Sequence, residues 1–277
     1  IINKDTKTLP FDWMFSHPKF VYKILKLLLE NKINTEEIVN NHFFCCDKRA
    51  NLKNIENYYI HSNGFALYNA QASNTTYLID ENQNIAHTWN MNTKCNYTVA
   101  LKENGNLVRG TKVSQNLINL FSGGGNIAAG GGRVEEIAPD GSIVWSFDYV
   151  NNNYVSHHDL TLIGDNVLLT AYEKKTANEL NNAGFNNANS EKWPTHFIEL
   201  EPDGNGGATI VWEWHIWDHM CQDTDPNAPN YVTSISDAPE LIDINMIPPP
   251  QGQSPAGGDW FHVNGVDYNK ELDQIVF

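Results

Sequence analysis

A chain of 277 residues with 41% hydrophobic and 11% aromatic residues can bury a large core, and an all-β barrel or propeller of this length often forms one domain. Its formal net charge of −15 argues against nucleic-acid binding and against an anionic membrane surface, because no Lys/Arg stripe is present to neutralise phosphates. The chain contains no run of 18 apolar residues, so no membrane span is predicted. The first ten residues lack the basic-then-apolar order of a signal peptide.

Residues 1–55 have a different pattern from the rest of the chain. After Pro18, apolar residues recur at helical spacing over Phe20–Leu29, which predicts an amphipathic helix with a proline near its first turn. We therefore interpret residues 1–55 as a helical extension or cap and residues 56–277 as a separate β domain. The alternative for the helix is a protein-binding role.

Residues from about 57 onward alternate between short strands and Asn, Asp or Gly turns. A repeat runs through this part, in which a turn is followed by Ile and then, four residues later, by an aromatic residue. The three pairs are Ile85 with Trp89, Ile143 with Phe147, and Ile210 with Trp214. The sequence therefore predicts an almost entirely β propeller of about three to four blades, in which these aromatic residues occupy equivalent positions.

The repeats are longer than the usual propeller period of about 40–50 residues. Three long segments account for the excess length, namely 123–132, 176–192 and 222–258. The first of these is glycine-rich but lacks both a G-x-G-x-x-G pattern and a P-loop lysine, so it predicts a flexible turn leading to a structural Arg133.

The sequence predicts neither a metal nor a cofactor. His215 and His219 have metal-like spacing only if they lie on a helix, and the tryptophans around them favour the end of a strand. The four cysteines fit neither a dense disulfide scaffold nor a zinc site, and a bridge from Cys45 or Cys46 to Cys95 or Cys221 is left open. Two glycosylation sequons, at Asn74 and Asn96, do not determine the cellular compartment of the protein.

Two histidine motifs are the candidate functional residues. His262 and Asn264 occupy alternate positions of a predicted strand, so both side chains would face one side and could grip a small oxyanion. The structural alternative is a corner in which Trp260 packs and His262 is hydrogen-bonded. His158 lies in a His-His-Asp run before another predicted strand, and on the propeller model the two motifs would converge near the central axis.

These motifs, taken together with others in the same order, resemble the bacterial propeller-type arylsulfate sulfotransferases. The resemblance covers roughly residues 64–277 and leaves out the first 55 residues. The segments that carry it are Gly130–Glu136, His157–Asp159, Ile210–His219, Pro239–Asn245, Asp259–Asn264 and Leu272–Val276.

The resemblance implies a six-bladed propeller that moves a sulfuryl group from an aryl sulfate ester to a phenol. The family does this through a sulfated histidine and without a nucleotide sulfate donor. His262 and Asn264 match its sulfate-binding His-x-Asn pair, and His158 matches its second active-site histidine. The resemblance places the family's Arg and its nucleophilic His beyond Phe277, so only half of the expected site falls within this sequence.

Several further expectations follow from the resemblance. The partners are a small aromatic sulfate ester and a phenol, and a second chain or a homo-oligomer would complete the ring. The location is periplasmic or extracellular. The alternative from another functional class is a catalytically silent propeller that acts in extracellular binding or structural assembly, because a fold alone does not establish an activity.

Overall fold

The computed structural model describes residues 64–125, 127, 129–246 and 258–277. These residues belong to one compact unit. The predicted helical segment 1–55 and its boundary with the β domain lie outside the described residues and stay predictions. Among the described residues, none of the helices is both long and apolar enough to cross a membrane.

Three antiparallel sheets follow one another along the chain, each a simple up-and-down meander. The first contains β1 (Ala66–Asn69), β2 (Thr75–Ile79) and β3 (Ile85–Asn90). The second contains β4 (Lys94–Leu101), β5 (Leu107–Lys112), β6 (Gly132–Ile137) and β7 (Ile143–Asp148). The third contains β8 (Tyr154–Ile163), β9 (Asn166–Glu173), β10 (Thr195–Pro202) and β11 (Ala208–His215).

Two short strand pairs follow the third sheet. The first joins β12 (Met220–Cys221) in parallel to β13 (Ile242–Asp243), and the second joins β14 (Asp267–Asn269) antiparallel to β15 (Gln274–Val276). Short 3₁₀ turns span Ile216–His219 and Ile235–Asp237.

The sheets are arranged as propeller blades. The first strand of each sheet contacts the first strand of the next, in the order β1, β4, β8 and β14. The second strands, β5 and β9, are buried along most of their length, because a neighbouring blade covers each face. The predicted all-β propeller is confirmed, with three blades and the first strands of a fourth in the described residues.

Two short helices depart from the expectation of an almost entirely β domain. They are α1 (Gln115–Ser122), between β5 and β6, and α2 (Ala177–Asn182), between β9 and β10, so each joins the second and third strands of its blade. Helix α1 buries Ile118 and Phe121 and ends at Gly123, which has a left-handed φ of 63°. Helix α2 begins with a capping box between Thr176 and Glu179. Each helix is too short to give a clear helical period in the sequence.

The three repeats share their local geometry. In each blade an aspartate accepts a hydrogen bond from the backbone N–H two residues later, which fixes the turn before the last strand. The bonds run from Asn82 to Asp80 at 2.9 Å, from Ser142 to Asp140 at 2.9 Å and from Asn205 to Asp203 at 2.7 Å. The ladder then shifts register at the same place in all three blades, between Leu78 and Ile79, Glu136 and Ile137, and Glu199 and Leu200.

The predicted equivalence of the three aromatic residues follows from this common register. They lie on the last strands and pair with the strands before them, Trp89 with Thr76, Phe147 with Val134, and Trp214 with Phe197. Trp89 is buried, and its indole donates a 3.1 Å hydrogen bond to the carbonyl of Ala138 in the second blade. It therefore fills the space between two blades.

The structure shows how buried the described cysteines and the two glycosylation sequons are. Cys95 and Cys221 are buried and form no disulfide within the described residues, and burial raises the pKa of Cys95 to about 11. Cys45 and Cys46, with which a bridge was left open, lie outside the described residues. Asn96 is buried and donates a 2.6 Å hydrogen bond to the carbonyl of Ala129, so its amide is not available to a glycan, whereas Asn74 is exposed.

A buried ion pair distinguishes the second blade from the third. Arg109 Nε donates to Glu135 Oε1 at 2.9 Å, and both side chains are 0% exposed. Arg109 also donates to the Thr93 hydroxyl at 2.6 Å. At the equivalent paired positions of the third blade stand Leu169 and Ile198.

This equivalence gives a stability prediction. Arg109→Leu alone should cost about 3–5 kcal/mol, because it leaves the Glu135 carboxylate buried without a counter-ion. The double variant Arg109→Leu with Glu135→Ile reproduces the pair found in the third blade and should recover most of that loss. Urea denaturation measures both.

The matched control is Arg133→Leu, which breaks the half-exposed pair between Arg133 and Asp148. That change should cost no more than about 1 kcal/mol. A double variant less stable than Arg109→Leu alone would contradict the interpretation.

Candidate functional site

His157 and His158 lie within β8, not before a strand as the sequence predicted. The ladder between β8 and β9 shifts register between His157 and Leu160, and His158 has a left-handed φ of 43°. The Thr170 hydroxyl fixes this bulge, since it donates to the carbonyl of His157 and accepts the N–H of Asp159 at 3.3 Å. A bulge re-aims the side chains beside it, which is why His158 leaves the regular face of the strand.

His157 is buried behind His158. Its Nδ1 lies 2.8 Å from Nδ1 of His158, its Nε2 lies 3.3 Å from the Thr195 hydroxyl, and its ring stacks on Tyr172 at 3.6 Å. Burial lowers the pKa of His157 well below its usual value. His157 is therefore a neutral imidazole that holds the ring of His158 in place.

The segment that contains His262 and Asn264 is irregular, not the predicted strand, since β14 begins only at Asp267. The cause is a tight corner, with left-handed φ values of 73° at Phe261 and 48° at His262. Trp260 is buried in this corner and packs edge-on against Phe185 at 5.5 Å.

Gly258 anchors the start of this segment. Its carbonyl accepts the backbone N–H of Trp193, and a Cβ added to Gly258 would lie 2.2 Å from the Trp193 ring. Only glycine lets these two segments of the backbone approach this closely. The backbone bridge between Trp193 and Asp259 then ties the corner to a residue two positions before β10.

The structure brings His158 and His262 together. Their ring centroids lie 5.7 Å apart at an interplanar angle of 73°. The carboxylate of Asp259 holds His262 through Nδ1, while the His262 side chain remains 61% exposed. Asn264 is also exposed, with the buried Val263 between it and His262. The structural corner and the convergent histidines are thus features of the same segment.

The propeller topology explains this convergence. In a four-stranded meander the entry to the first strand and the connection from the second to the third strand lie at the same end of the blade. His158 lies in the first half of β8, His262 precedes β14, and β14 contacts β8. At this end a small cleft between the second and third blades is lined by groups that include Asn96, Ser156 and both histidines of β8.

The electrostatics of the site keep His158 neutral. Burial, and secondly the neighbouring His262, lowers the pKa of His158, while Asp259 and Asp159 oppose this shift. A neutral imidazole offers one lone pair and one N–H. The arrangement therefore supplies uncharged donors and acceptors beside an open surface.

The remaining candidates of the sequence have other partners. Arg133 lines the same cleft, but its guanidinium pairs with Asp148 across β6 and β7, in keeping with a structural role. His215 ends β11, and His219 follows in the 3₁₀ turn, so the two do not share an α-helical face. His215 instead lies beside Glu173 and His196, two residues that the sequence pattern missed because only the strand register brings them together.

The comparison with known families agrees with the motifs. The model of the arylsulfotransferase (ASST) family matches residues 7–277. The chain belongs to the arylsulfotransferase family. The match begins at residue 7, so the likeness is not restricted to residues 64–277 as the motifs indicated.

Other comparisons add little. No curated protein matches the chain. A similar solved structure is a protein of unknown function from Bacteroides caccae, with 12% identity and a TM-score of 0.32 over 54% of this chain and 39% of that chain. The match therefore covers well under half the length of that protein.

The buried histidine gives a pH prediction. His157 is neutral in the fold, whereas an unfolded histidine titrates near pH 6.5. Below that pH the unfolded chain binds more protons, so the free energy of unfolding should decrease as the pH falls from about 7.5 to 5. His157→Gln should make this decrease shallower in urea denaturation at a series of pH values.

His215 provides the opposite control. The Glu173 carboxylate, whose Oε1 lies 3.2 Å from Nδ1 of His215, raises the pKa of His215, so its stabilising contribution grows as the pH falls. His215→Gln should therefore steepen the loss on acidification. If both variants change the slope in the same direction, the assigned protonation states are wrong.

Proposed function

We propose that the protein transfers a sulfuryl group from an aryl sulfate ester to a phenolic acceptor, without a nucleotide sulfate donor. The observation that carries this proposal is the approach of His158 and His262 from two separate blades, at 5.7 Å between ring centroids. Membership of the arylsulfotransferase family supports it.

The roles of the individual residues follow from their chemistry. His158, His262 and Asn264 offer imidazole and amide groups to the oxygens of the sulfate ester. Hydrogen bonds from such groups become stronger as charge redistributes in the transition state, which lowers the barrier and not only the dissociation constant. In the family resemblance the nucleophile is another histidine, so we assign these three residues to binding the transferred group.

The transfer then proceeds in two steps. A histidine nitrogen forms an N–S bond while the ester S–O bond breaks, and the electron pair leaves on the phenolate oxygen of the donor. The acceptor phenol oxygen next attacks sulfur, the N–S bond breaks, and the phenol proton passes to the released imidazole. Covalent catalysis of this kind replaces one difficult displacement with two easier ones.

Asp259 acts as a positioning residue for His262. Its carboxylate bonds to Nδ1 of His262, so that Nε2 lies on the side of the ring away from Asp259. The His262 side chain is mostly exposed, so little packing would hold the ring without this contact. Gly258 and the bridge to Trp193 in turn hold Asp259.

The test measures sulfuryl transfer from p-nitrophenyl sulfate to phenol with the purified full-length protein. His262→Leu should reduce the rate by about 100-fold or more, the usual cost of removing a transition-state hydrogen-bond donor. Asp259→Asn should give a smaller decrease, with a shifted pH profile. His219→Leu, on the 3₁₀ turn after β11, is the matched control and should transfer at the wild-type rate.

Each contrary result has a definite meaning. Equal rates for wild type and His262→Leu would exclude the role of His262. Unfolding of His262→Leu, seen by circular dichroism, would favour the purely structural corner. The transfer rate of Asp259→Asn would then decide whether the corner also acts in sulfuryl transfer. Absence of transfer by the wild-type protein would favour the silent binding propeller.

A further inference from the structure

A second cluster of polar residues lies within the third blade. Glu173 ends β9, His196 lies at the start of β10 and His215 ends β11, so three neighbouring strands each contribute one side chain. His196 is paired directly with His215, and Glu173 lies two residues from Ala171, the partner of His196 on β9. Because side chains alternate along a strand, all three project from one face of the sheet.

The distances within this cluster suit a single ion. One potential ligand atom from each of the three side chains lies within 4.8 Å of those from the other two. A glutamate oxygen and two imidazole nitrogens form a donor set that zinc and similar divalent transition metals accept.

His196 is the most informative member of the cluster. It is 1% exposed, and its Nε2 lies 2.8 Å from the hydroxyl of Tyr149. Its Nδ1 is buried and has no hydrogen-bond partner among the described residues. A buried polar atom without a partner destabilises the fold, so its retention calls for an explanation. Burial also lowers the pKa of His196 to about 3, which keeps the ring in the neutral form that binds metals.

One carboxylate oxygen of Glu173 is paired, and the other has no hydrogen-bond partner among the described residues. Its Oε2 lies 2.9 Å from the ammonium group of Lys175, which holds the carboxylate in place. Its Oε1 lies 3.2 Å from Nδ1 of His215 but is not aligned to accept a hydrogen bond. Tyr149 and Lys175 thus occupy the places of outer groups that orient metal ligands.

The surrounding charge favours a cation. The carboxylate of Glu213 lies 3.7 Å from His215, and Asp218 also acts on it electrostatically. Lys175 is the positive group that faces Glu173. Three carboxylates against one ammonium group leave the described surroundings of the cluster with an excess of negative charge.

We propose that Glu173, His196 Nδ1 and His215 bind a divalent transition-metal cation, with zinc as the best match. The two imidazole rings stack at 4.6 Å with an interplanar angle of 3°, and parallel stacked rings cannot both direct a lone pair to one ion. His215 therefore has to turn about its Cβ–Cγ bond. It has room to do so, since it stands at the end of β11 with its side chain 25% exposed.

The ion would join the ends of three strands in one blade. Ligands from β9, β10 and β11 are brought together only in the folded state, so binding contributes directly to stability. This role is independent of the proposed sulfuryl transfer, whose residues lie on β8 and in the segment 258–266.

The experiment uses Zn²⁺ alone with protein that has been dialysed against a chelator. Isothermal titration should show a saturable site, and saturating Zn²⁺ should raise the melting temperature. Co²⁺ at the same site should give the visible absorption of a four-coordinate complex. Glu173→Gln and His215→Ala should each weaken Zn²⁺ binding by more than about 10-fold and remove the thermal shift. Tyr149→Phe should weaken binding by about 10-fold, the usual effect of losing an outer hydrogen bond.

The matched control is His219→Ala. His219 stands four residues after His215, but it bonds to the backbone carbonyl of His215 and stacks its ring on Trp214. It should bind Zn²⁺ as the wild type does. The proposal is overturned if the wild type binds no Zn²⁺, if His215→Ala and Glu173→Gln bind it as tightly as the wild type, or if His219→Ala loses it to the same extent. Glu173 and His215 are only partly buried, so their variants are expected to fold even if His196→Ala does not.

Discussion

The packing of one blade against the next is the constraint on which the rest of this structure depends. A four-stranded meander has two apolar faces, and the second strands β5 and β9 are buried along most of their length. No blade can bury both faces alone, so each needs a neighbour. Stacking then places the first strands side by side, and β8 meets both β4 and β14. The meeting of His158 and His262 is a consequence of this order.

Polar groups inside the stack are tolerated because they have partners across it. Lys102 bonds to Glu136 in its own blade at 3.0 Å and to the carbonyl of Asp165 in the next blade at 3.2 Å. Glu136 is further held by Asn106 at 2.6 Å and by the indole of Trp145 at 2.7 Å. Buried charges of this kind fix the register between blades, since a shifted blade would leave them unpaired.

The corner at residues 258–266 shows that a structural interpretation and a functional one need not exclude each other. Trp260 packs and His262 is hydrogen-bonded, as a structural corner requires. The same left-handed turn at Phe261 and His262 leaves the imidazole exposed beside His158. Backbone conformations of this kind are unfavourable for non-glycine residues and are concentrated at functional sites.

The sequence by itself determined the all-β propeller, its repeats and the two histidine motifs, because turn residues and the spacing of Ile85 to Trp89 and its two equivalents are local patterns. It misjudged the strand around His262 and the two short helices, since a left-handed corner and a two-turn helix leave almost no periodic signal. Only the tertiary structure placed Glu173 beside His196 and His215, and Arg109 beside Glu135. These contacts depend on the register between strands, and register is set by the bulges and the packing of whole blades, which no short stretch of sequence encodes.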